Sequence, residues 1–306
     1  MPVTKYNTLL LAEIEVTPGV DPLPVPASDA VRVRSAKISV TPDVIENPVV
    51  KQTMGKIPHL IGGKSTMQIE IEVALKGSGA AGTVPEVGRL LNACGHLQTI
   101  SAGVSVAYDP QTNTDLHKTM TLYWYEDGLL WKFIGAIGKH NSDAGIGAAA
   151  VAKFTFSAPF LAPTAVACPT GAVYQASAPI VMSSADVVND GAVIKCGAVG
   201  LEGGEELFHH YVTGLNKFSI VDRNAALKIT KDSISTAAEW TALLAGTNTT
   251  LSATLGAAAG NRVVLTAPVM RRRGVAPGLR GDLNTLELSY GLYESAGDDQ
   301  YRYLFN

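Results

Sequence analysis

The sequence predicts a mainly β protein made of two tandem β-sandwich or barrel units, each with one short flanking α-helix. Three observations carry that expectation. Polar and apolar residues alternate along several stretches of the 306-residue chain, as in Thr66–Leu75 (TMQIEIEVAL), the period of a strand with one wet face. The order strand, strand, helix, hairpin, strand occurs twice, with the two helices about half the chain apart. Hydrophobic residues make up 46% and charged residues only 17%. A packed core is therefore expected, and the shortage of charge, against roughly a quarter in ordinary soluble domains, points to surface hidden in contacts with neighbours.

The first half opens its strand set with Val31–Val40 (VRVRSAKISV), followed by Thr66–Leu75. Pro85–Gly95 (PEVGRLLNACG) reads as a helix, because Pro85 suits a first turn, Val87, Leu90, Leu91 and Cys94 share a stripe, and Gly95 supplies the stop. Thr119–Tyr125 and Leu129–Ile137 flank Glu126-Asp127-Gly128, a tight hairpin signal, and Val151–Phe156 closes the set. In the second half Ala192–Val199, Phe218–Val221 and Ala226–Lys231 read as strands. Thr236–Gly246 is the second helix, with Thr236 and Glu239 as a capping box. Leu251–Leu255 and Arg262–Thr266 form a hairpin about Gly260-Asn261, and Thr285–Leu292 is the last alternating strand. The division is 1–163, a connector with the strand leading onward at 164–185, and 186–306.

Thr41–Lys64 follows no period. It holds three prolines and three glycines, yet also Val44, Ile45, Val49, Met54, Ile57 and Leu60. A solvated linker would not be so apolar, so this arm is read as docking onto a neighbouring subunit. Leu201–Leu215, with Phe208 and Tyr211, takes the equivalent place in the second half.

Sites for chemistry are few. Gly77–Gly82 fits GxGxxG, but the strand before it carries Gln68, Glu70 and Glu72, whereas a dinucleotide-binding strand is nearly all apolar. Gly63-Lys64-Ser65 ends like a phosphate-binding loop, but Pro58 stands where the first glycine belongs and a strand follows. His209 and His210 are adjacent and face opposite ways on a strand, while His59, His96, His117 and His140 read as isolated, so no metal is expected. Cys94, Cys168 and Cys196 form no framework and read as small apolar residues in a reducing compartment. No GxSxG elbow is present, no cofactor is expected, and the reading is not an enzyme. A net charge of −3 disfavours a general nucleic-acid binder. The N-terminus lacks a secretory pattern and no apolar run reaches the roughly 20 residues of a spanning helix, which predicts a soluble, cytoplasmically made chain without membrane contact. Arg271, Arg272 and Arg273, with Arg280 behind, read as a loop that docks onto acidic residues of a neighbour, with Glu202, Glu205, Glu206, Asp298 and Asp299 as candidate partners.

Leu9–Thr41 (LLLAEIEVTPGVDPLPVPASDAVRVRSAKISVT) resembles the N-terminus of the major tail tube proteins of long-tailed, siphovirus-type phages. Lys76–Gly95, Phe218–Lys228, Leu255–Pro268 and the closing strand before Gly297-Asp298-Asp299 extend the resemblance over most of the chain. The triple arginine and His209-His210 depart from it. The resemblance implies tail-tube-like β units stacked as rings, here three chains per pseudo-six-fold ring, in a virion tail assembled in the host bacterial cytoplasm. It implies other tail proteins at the tube ends and viral DNA passing through the bore without specific binding. In such a tube Gln68, Glu70, Glu72 and Lys228 are expected to line the bore, with the arginine cluster outside it between subunits. The tube of a contractile secretion or injection apparatus and a β-sandwich adhesion module are the competing readings.

Overall fold

The structure, a computed structural model, describes residues 7–182, 186–232 and 237–306. Its strands of four residues or more, in chain order, are β1 (Thr8–Ile14), β2 (Ser35–Thr41), β3 (Thr66–Ala74), β4 (His96–Ser101), β5 (Ser105–Pro110), β6 (Met120–Glu126), β7 (Leu129–Gly145) and β8 (Val151–Pro159). The second half continues with β9 (Asp186–Asn189), β10 (Cys196–Glu202), β11 (Glu205–Val212), β12 (Leu215–Arg223), β13 (Ala226–Asp232), β14 (Asn248–Leu255), β15 (Val263–Arg280), β16 (Leu283–Tyr293) and β17 (Arg302–Phe305). The helices are α1 (Pro26–Asp29), α2 (Glu86–Asn92) and α3 (Ala238–Ala245). The chain is mainly β, as the alternation requires.

Two layers sandwich the core. One is an antiparallel sheet in the order β2-β3-β8-β7-β10-β13-β16-β15. Its first four strands come from the first half and its last four from the second, each set running first, second, fourth, third in chain order. The other layer pairs β1 with β6 and β6 with β7, and joins β5 of the first half to β17, β15, β14 and β9 of the second. The long strands β7 and β15 belong to both layers. β7 changes sheets at a bulge between Phe133 and Ala136, where Gly135 takes φ 68° and donates its amide to the buried Glu15 carboxylate at 2.7 Å.

One continuous core fills the space between the layers and draws on both halves, with Ile71, Phe154 and Phe156 from one and Leu227, Leu288 and Tyr303 from the other. The regions 1–163 and 186–306 thus meet along two strand seams, β7 with β10 and β5 with β17. Residues 160–182 lie along the first half, where Gln175 exchanges hydrogen bonds with Glu86 and Ile180 enters the core.

Several elements correct the expectations and others bear them out. The stretch Val31–Val40 is broken at Arg32–Arg34, and Ala192–Val199 is broken at Ile194 and Lys195. Asp127 and Gly128 both take positive φ, as a two-residue hairpin of that type demands. Pro85 is the N-cap of α2 and not its first turn, and Gly95 has φ 73°. Gly246 ends α3 in the left-handed conformation. Thr236 of the proposed capping box lies outside the described residues, and the Glu239 side chain ion-pairs with Lys231 and Arg272.

Candidate functional site

The eight-strand layer turns one face to the core and the other outward, because side chains alternate. Along β3, Met67, Ile69, Ile71 and Val73 are buried, while Gln68, Glu70 and Glu72 point the other way. Strand register carries this polar face across the sheet. Lys37, Glu70, Thr155 and Lys139 form one cross-strand row. Asp143, Gly200, Lys228, Ser289 and Gly274 form another, and that row crosses the seam between the halves. The three glutamate-strand positions and Lys228, far apart in sequence, therefore share one surface.

Opposite charges interleave on this wall. Lys228 Nζ lies 2.5 Å from Glu202 Oε1, and that hydrogen bond and charge raise the Lys228 pKa. Arg34 reaches Glu72 at 3.2 Å, and Arg280 reaches Asp232 at 2.7 Å. At the seam the surface sinks into a groove of about 600 Å³ lined by Asn141, Asp143, Lys153, Gly200, Lys228 and Ser289 among others.

The arm is a two-rung ribbon, Val44 opposite Ile61 and Ile45 opposite Leu60, anchored where the Asp43 carboxylate accepts the Lys64 amide. Val44, Ile45, Val49, Met54, Ile57 and Leu60 are all exposed. In the second half the same place, between β10 and β13, holds the β11–β12 hairpin, which carries Phe208 and Tyr211 exposed. The two projections touch, since a Cβ on Gly63 would fall 2.0 Å from the Tyr211 hydroxyl. His209 stacks on Phe218 with ring centroids 4.4 Å apart, and His210 faces Phe208.

The arginine cluster is not a loop. It lies within β15, and its side chains have partners in the same chain. Arg272 is nearly buried between Glu239 Oε2 (2.6 Å) and the Tyr290 hydroxyl (3.0 Å). Arg271 donates to Asn248, and Arg273 donates to Asn224 beside the Tyr293 ring. Four of the five expected acidic partners, all but Glu206, are also engaged internally. Glu202 holds Lys228, Asp298 accepts from Thr112, and Asp299 accepts the amides of Ser295 and Ala296.

Glu205 is the largest departure. It is fully buried with His96 and His140, which read as isolated in sequence. Its carboxylate accepts from His140 Nδ1 at 2.7 Å and from the His140 amide at 3.2 Å. His96 Nδ1 lies 2.9 Å from the Leu91 carbonyl and its Nε2 lies 3.0 Å from the Tyr301 hydroxyl. Burial alone would raise the Glu205 pKa, but the charge and hydrogen bond of His140, with His96 and Arg223 beyond, bring it down to about 2. Burial and the charge of His140 push the His96 pKa well below its ordinary value. This cluster bolts the two halves together at the seam. No sequence pattern flags it, because its members come from β4, β7, β11 and the segment before β17.

The glycine-rich loop is a joint as well. The Gly77 amide donates to Asn261 at 2.7 Å, and the Gly77 carbonyl accepts from Ser177 at 2.5 Å. No α-helix among the described residues is long and apolar enough to cross a membrane. No protein-family model matches the chain, and a search of curated proteins returns no match.

Proposed function

We propose that this chain is the structural subunit of a phage tail tube, stacking as rings into a hollow conduit for DNA ejection. The reading rests on the eight-strand wall, in which two units of identical strand order present a largely polar face, interrupted where Ile137 packs under Phe218 and Ile220 of the β11–β12 hairpin, while the opposite face closes the core. Two equivalent units per chain let three chains fill six equivalent places around an axis. The polar face, with Gln68, Glu70, Glu72 and Lys228, then lines the bore.

A conduit must let a polyanion slide. Affinity for DNA grows with each phosphate neutralised by a free cation. On this wall Lys228, Arg34 and Arg280 are held by carboxylates, and Lys37 and Lys153 stand directly across from Glu70 and Glu72, so the face carries interleaved charges of both signs and no block of cations that would grip phosphate. The exposed apolar side chains of the arm and of the β11–β12 hairpin are covered by neighbouring copies. Partners are copies of the chain, other tail proteins at the tube ends and viral DNA in transit, in a virion tail assembled in the bacterial cytoplasm.

Negative-stain imaging and native mass spectrometry of the purified protein test the reading. Hollow tubes or rings of three chains are expected. A chain that stays monomeric at high concentration would overturn it, and six chains per ring would overturn the three-chain arrangement.

A further inference from the structure

Four polar side chains converge in the core where the two halves meet, and the proposed conduit makes no use of them. His96, at the start of β4, and His140, within β7, come from the first half. Glu205, at the start of β11, and Tyr301, just before β17, come from the second. All four are buried. The two histidines and the glutamate offer one ligand atom each, all within 4.8 Å of one another. His96 Nε2 lies 3.0 Å from the Tyr301 hydroxyl, that hydroxyl lies 3.5 Å from Glu205 Oε1, and Glu205 Oε1 lies 2.7 Å from His140 Nδ1. A tetrahedral zinc holds its ligand atoms at about 2.0–2.1 Å, which sets neighbouring ligands roughly 3.3 Å apart. The observed spacings fall on both sides of that value.

We propose that His96 Nε2, His140 Nδ1, Glu205 Oε1 and the Tyr301 hydroxyl bind a zinc ion that locks the seam from within, with two ligands from each half. Two imidazoles, a carboxylate and a phenol oxygen form a nitrogen and oxygen set that suits zinc. Four protein ligands leave no open position, so the ion is structural and not catalytic. Tyr301 releases its hydroxyl proton on binding, as metal ligands do. With the Glu205 carboxylate it then balances the two charges of the ion inside the core.

The surroundings of these atoms fit the role. His96 Nδ1 donates to the Leu91 carbonyl at 2.9 Å. That bond fixes the tautomer and aims the Nε2 lone pair at the cluster, as the outer-shell partner of a metal-bound histidine does. His140 Nδ1 and Glu205 Oε1 stand 2.7 Å apart, and at that distance two lone pairs need a cation between them, a proton or a metal. His140 Nε2 is buried without a hydrogen-bond partner among the described residues, so it takes the proton when zinc binds at Nδ1. Seating the ion parts His140 Nδ1 and Glu205 Oε1 by about 0.6 Å. Gly203 leaves room for this, since a Cβ there would fall 2.4 Å from both Glu205 Oε1 and the His140 ring. In the metal-free chain the shared proton holds the seam, and the low Glu205 pKa belongs to that form.

Protein produced in zinc-supplemented medium and desalted tests the site, with metal counted per chain by plasma mass spectrometry and folding checked by circular dichroism. A single zinc per chain is expected, with a melting temperature that falls once a chelator in mild urea has stripped the ion. Cobalt supplied in its place should show the strong visible absorption of a tetrahedral site. His96→Gln should weaken zinc retention by at least about tenfold, the loss that even an outer-shell change brings. Tyr301→Phe keeps the ring in the core and serves where His96→Gln does not fold. It should lower zinc retention and alter the cobalt spectrum. His209→Ala with His210→Ala, on the β11–β12 hairpin, should leave both unchanged. Folded wild-type protein that carries no zinc and takes up no cobalt overturns the site. Zinc retained equally by the wild type and by whichever of the two core variants folds overturns it as well, since the metal then lies elsewhere. The measurement needs neither rings nor tubes, so its outcome stands apart from that of the conduit reading.

Discussion

The two units share a strand order but not a degree of completion. In the first, α2 is packed under β1 and against β4 and β5, with Val87, Leu90 and Leu91 buried and Arg89 donating to the Ala12 carbonyl at 2.9 Å. A buried ion pair, Lys76 with Glu86 at 2.9 Å, holds its start. In the second, α3 lies against β15 with no residue buried. Trp240 is half-exposed, Leu244 is 90% exposed, and ion pairs from Glu239 tether it. The first unit has β1 and the connector to cover its helix, and the second has no such cover among the described residues. Equal topology with unequal cover teaches that one unit's helix is finished by its own chain, while the other's is left open and, in the proposed ring, is the one available to a neighbour.

The comparison is sharpest at the seam that ties the two units together. Glu205→Ala removes one partner of the buried pair with His140 and is expected to cost about 3–5 kcal/mol, read by urea unfolding at pH 7. Acid should loosen the same seam. Glu205 has a folded pKa of about 2 against an ordinary 4.5, so its contribution, about 3 kcal/mol, is present above pH 4.5 and lost as the pH falls toward 2. His96 is also depressed. The unfolded chain takes up its proton near pH 6.5 and the folded chain does not, so stability begins to fall from that pH downward. Melting temperature should therefore drop across an acid series from 6.5, and His96→Gln should flatten its upper part. A melting temperature constant from pH 7 to 4 would remove the seam as the acid-sensitive element.

The helices provide the next contrast. Leu90→Ala opens a cavity in the shared core and should cost about 2–5 kcal/mol in monomer stability. Leu244→Ala, on the bare helix, should change monomer stability by no more than about 0.5 kcal/mol. If the proposed ring forms through this face, assembly should respond to Leu244→Ala although the monomer does not. Equal destabilisation by the two variants would show that α3 is packed as α2 is, and the contrast between the units would fail.

Much of this was legible in sequence where the signal is local. The alternation in Thr66–Leu75, the Asp-Gly turn and the α2 stripe each describe a single element, and each element formed where expected. The polar face of Gln68, Glu70 and Glu72 was also readable, because facing is fixed by strand parity. What failed depended on distance. The arginine cluster looked like a loop because Gly274, Pro277 and Gly278 surround it, yet an edge strand tolerates such residues, and pairing to β16 carries β15 through them. His96, His140 and Glu205 are separated by 44 and 65 residues along the sequence and meet only because the seam folds them together. The joining of the two halves into one sheet likewise depends on β7 and β10 meeting edge to edge, which no local pattern records.

The last contrast concerns the wall itself, where the two units differ in charge. The outward positions of the equivalent strands carry Gln68, Glu70 and Glu72 on β3 in one unit and Lys228, Thr230 and Asp232 on β13 in the other. These side chains face away from the core, so Glu70→Lys with Glu72→Lys should alter monomer stability by under about 1 kcal/mol. Its consequence is electrostatic. In assembled tubes the substitution frees Arg34 from its carboxylate and adds two cations per chain, repeated in every copy around the bore. Each new phosphate contact adds about 0.9 to the slope of log affinity against log salt. Wild-type tubes should release duplex DNA at moderate salt, whereas the double-lysine tubes should retain it with a steep salt dependence. Measuring DNA that co-sediments with tubes across a salt series separates the cases. Equal retention by the two proteins would mean that this face does not line the channel, and the assignment of the glutamate strand to the bore would fall.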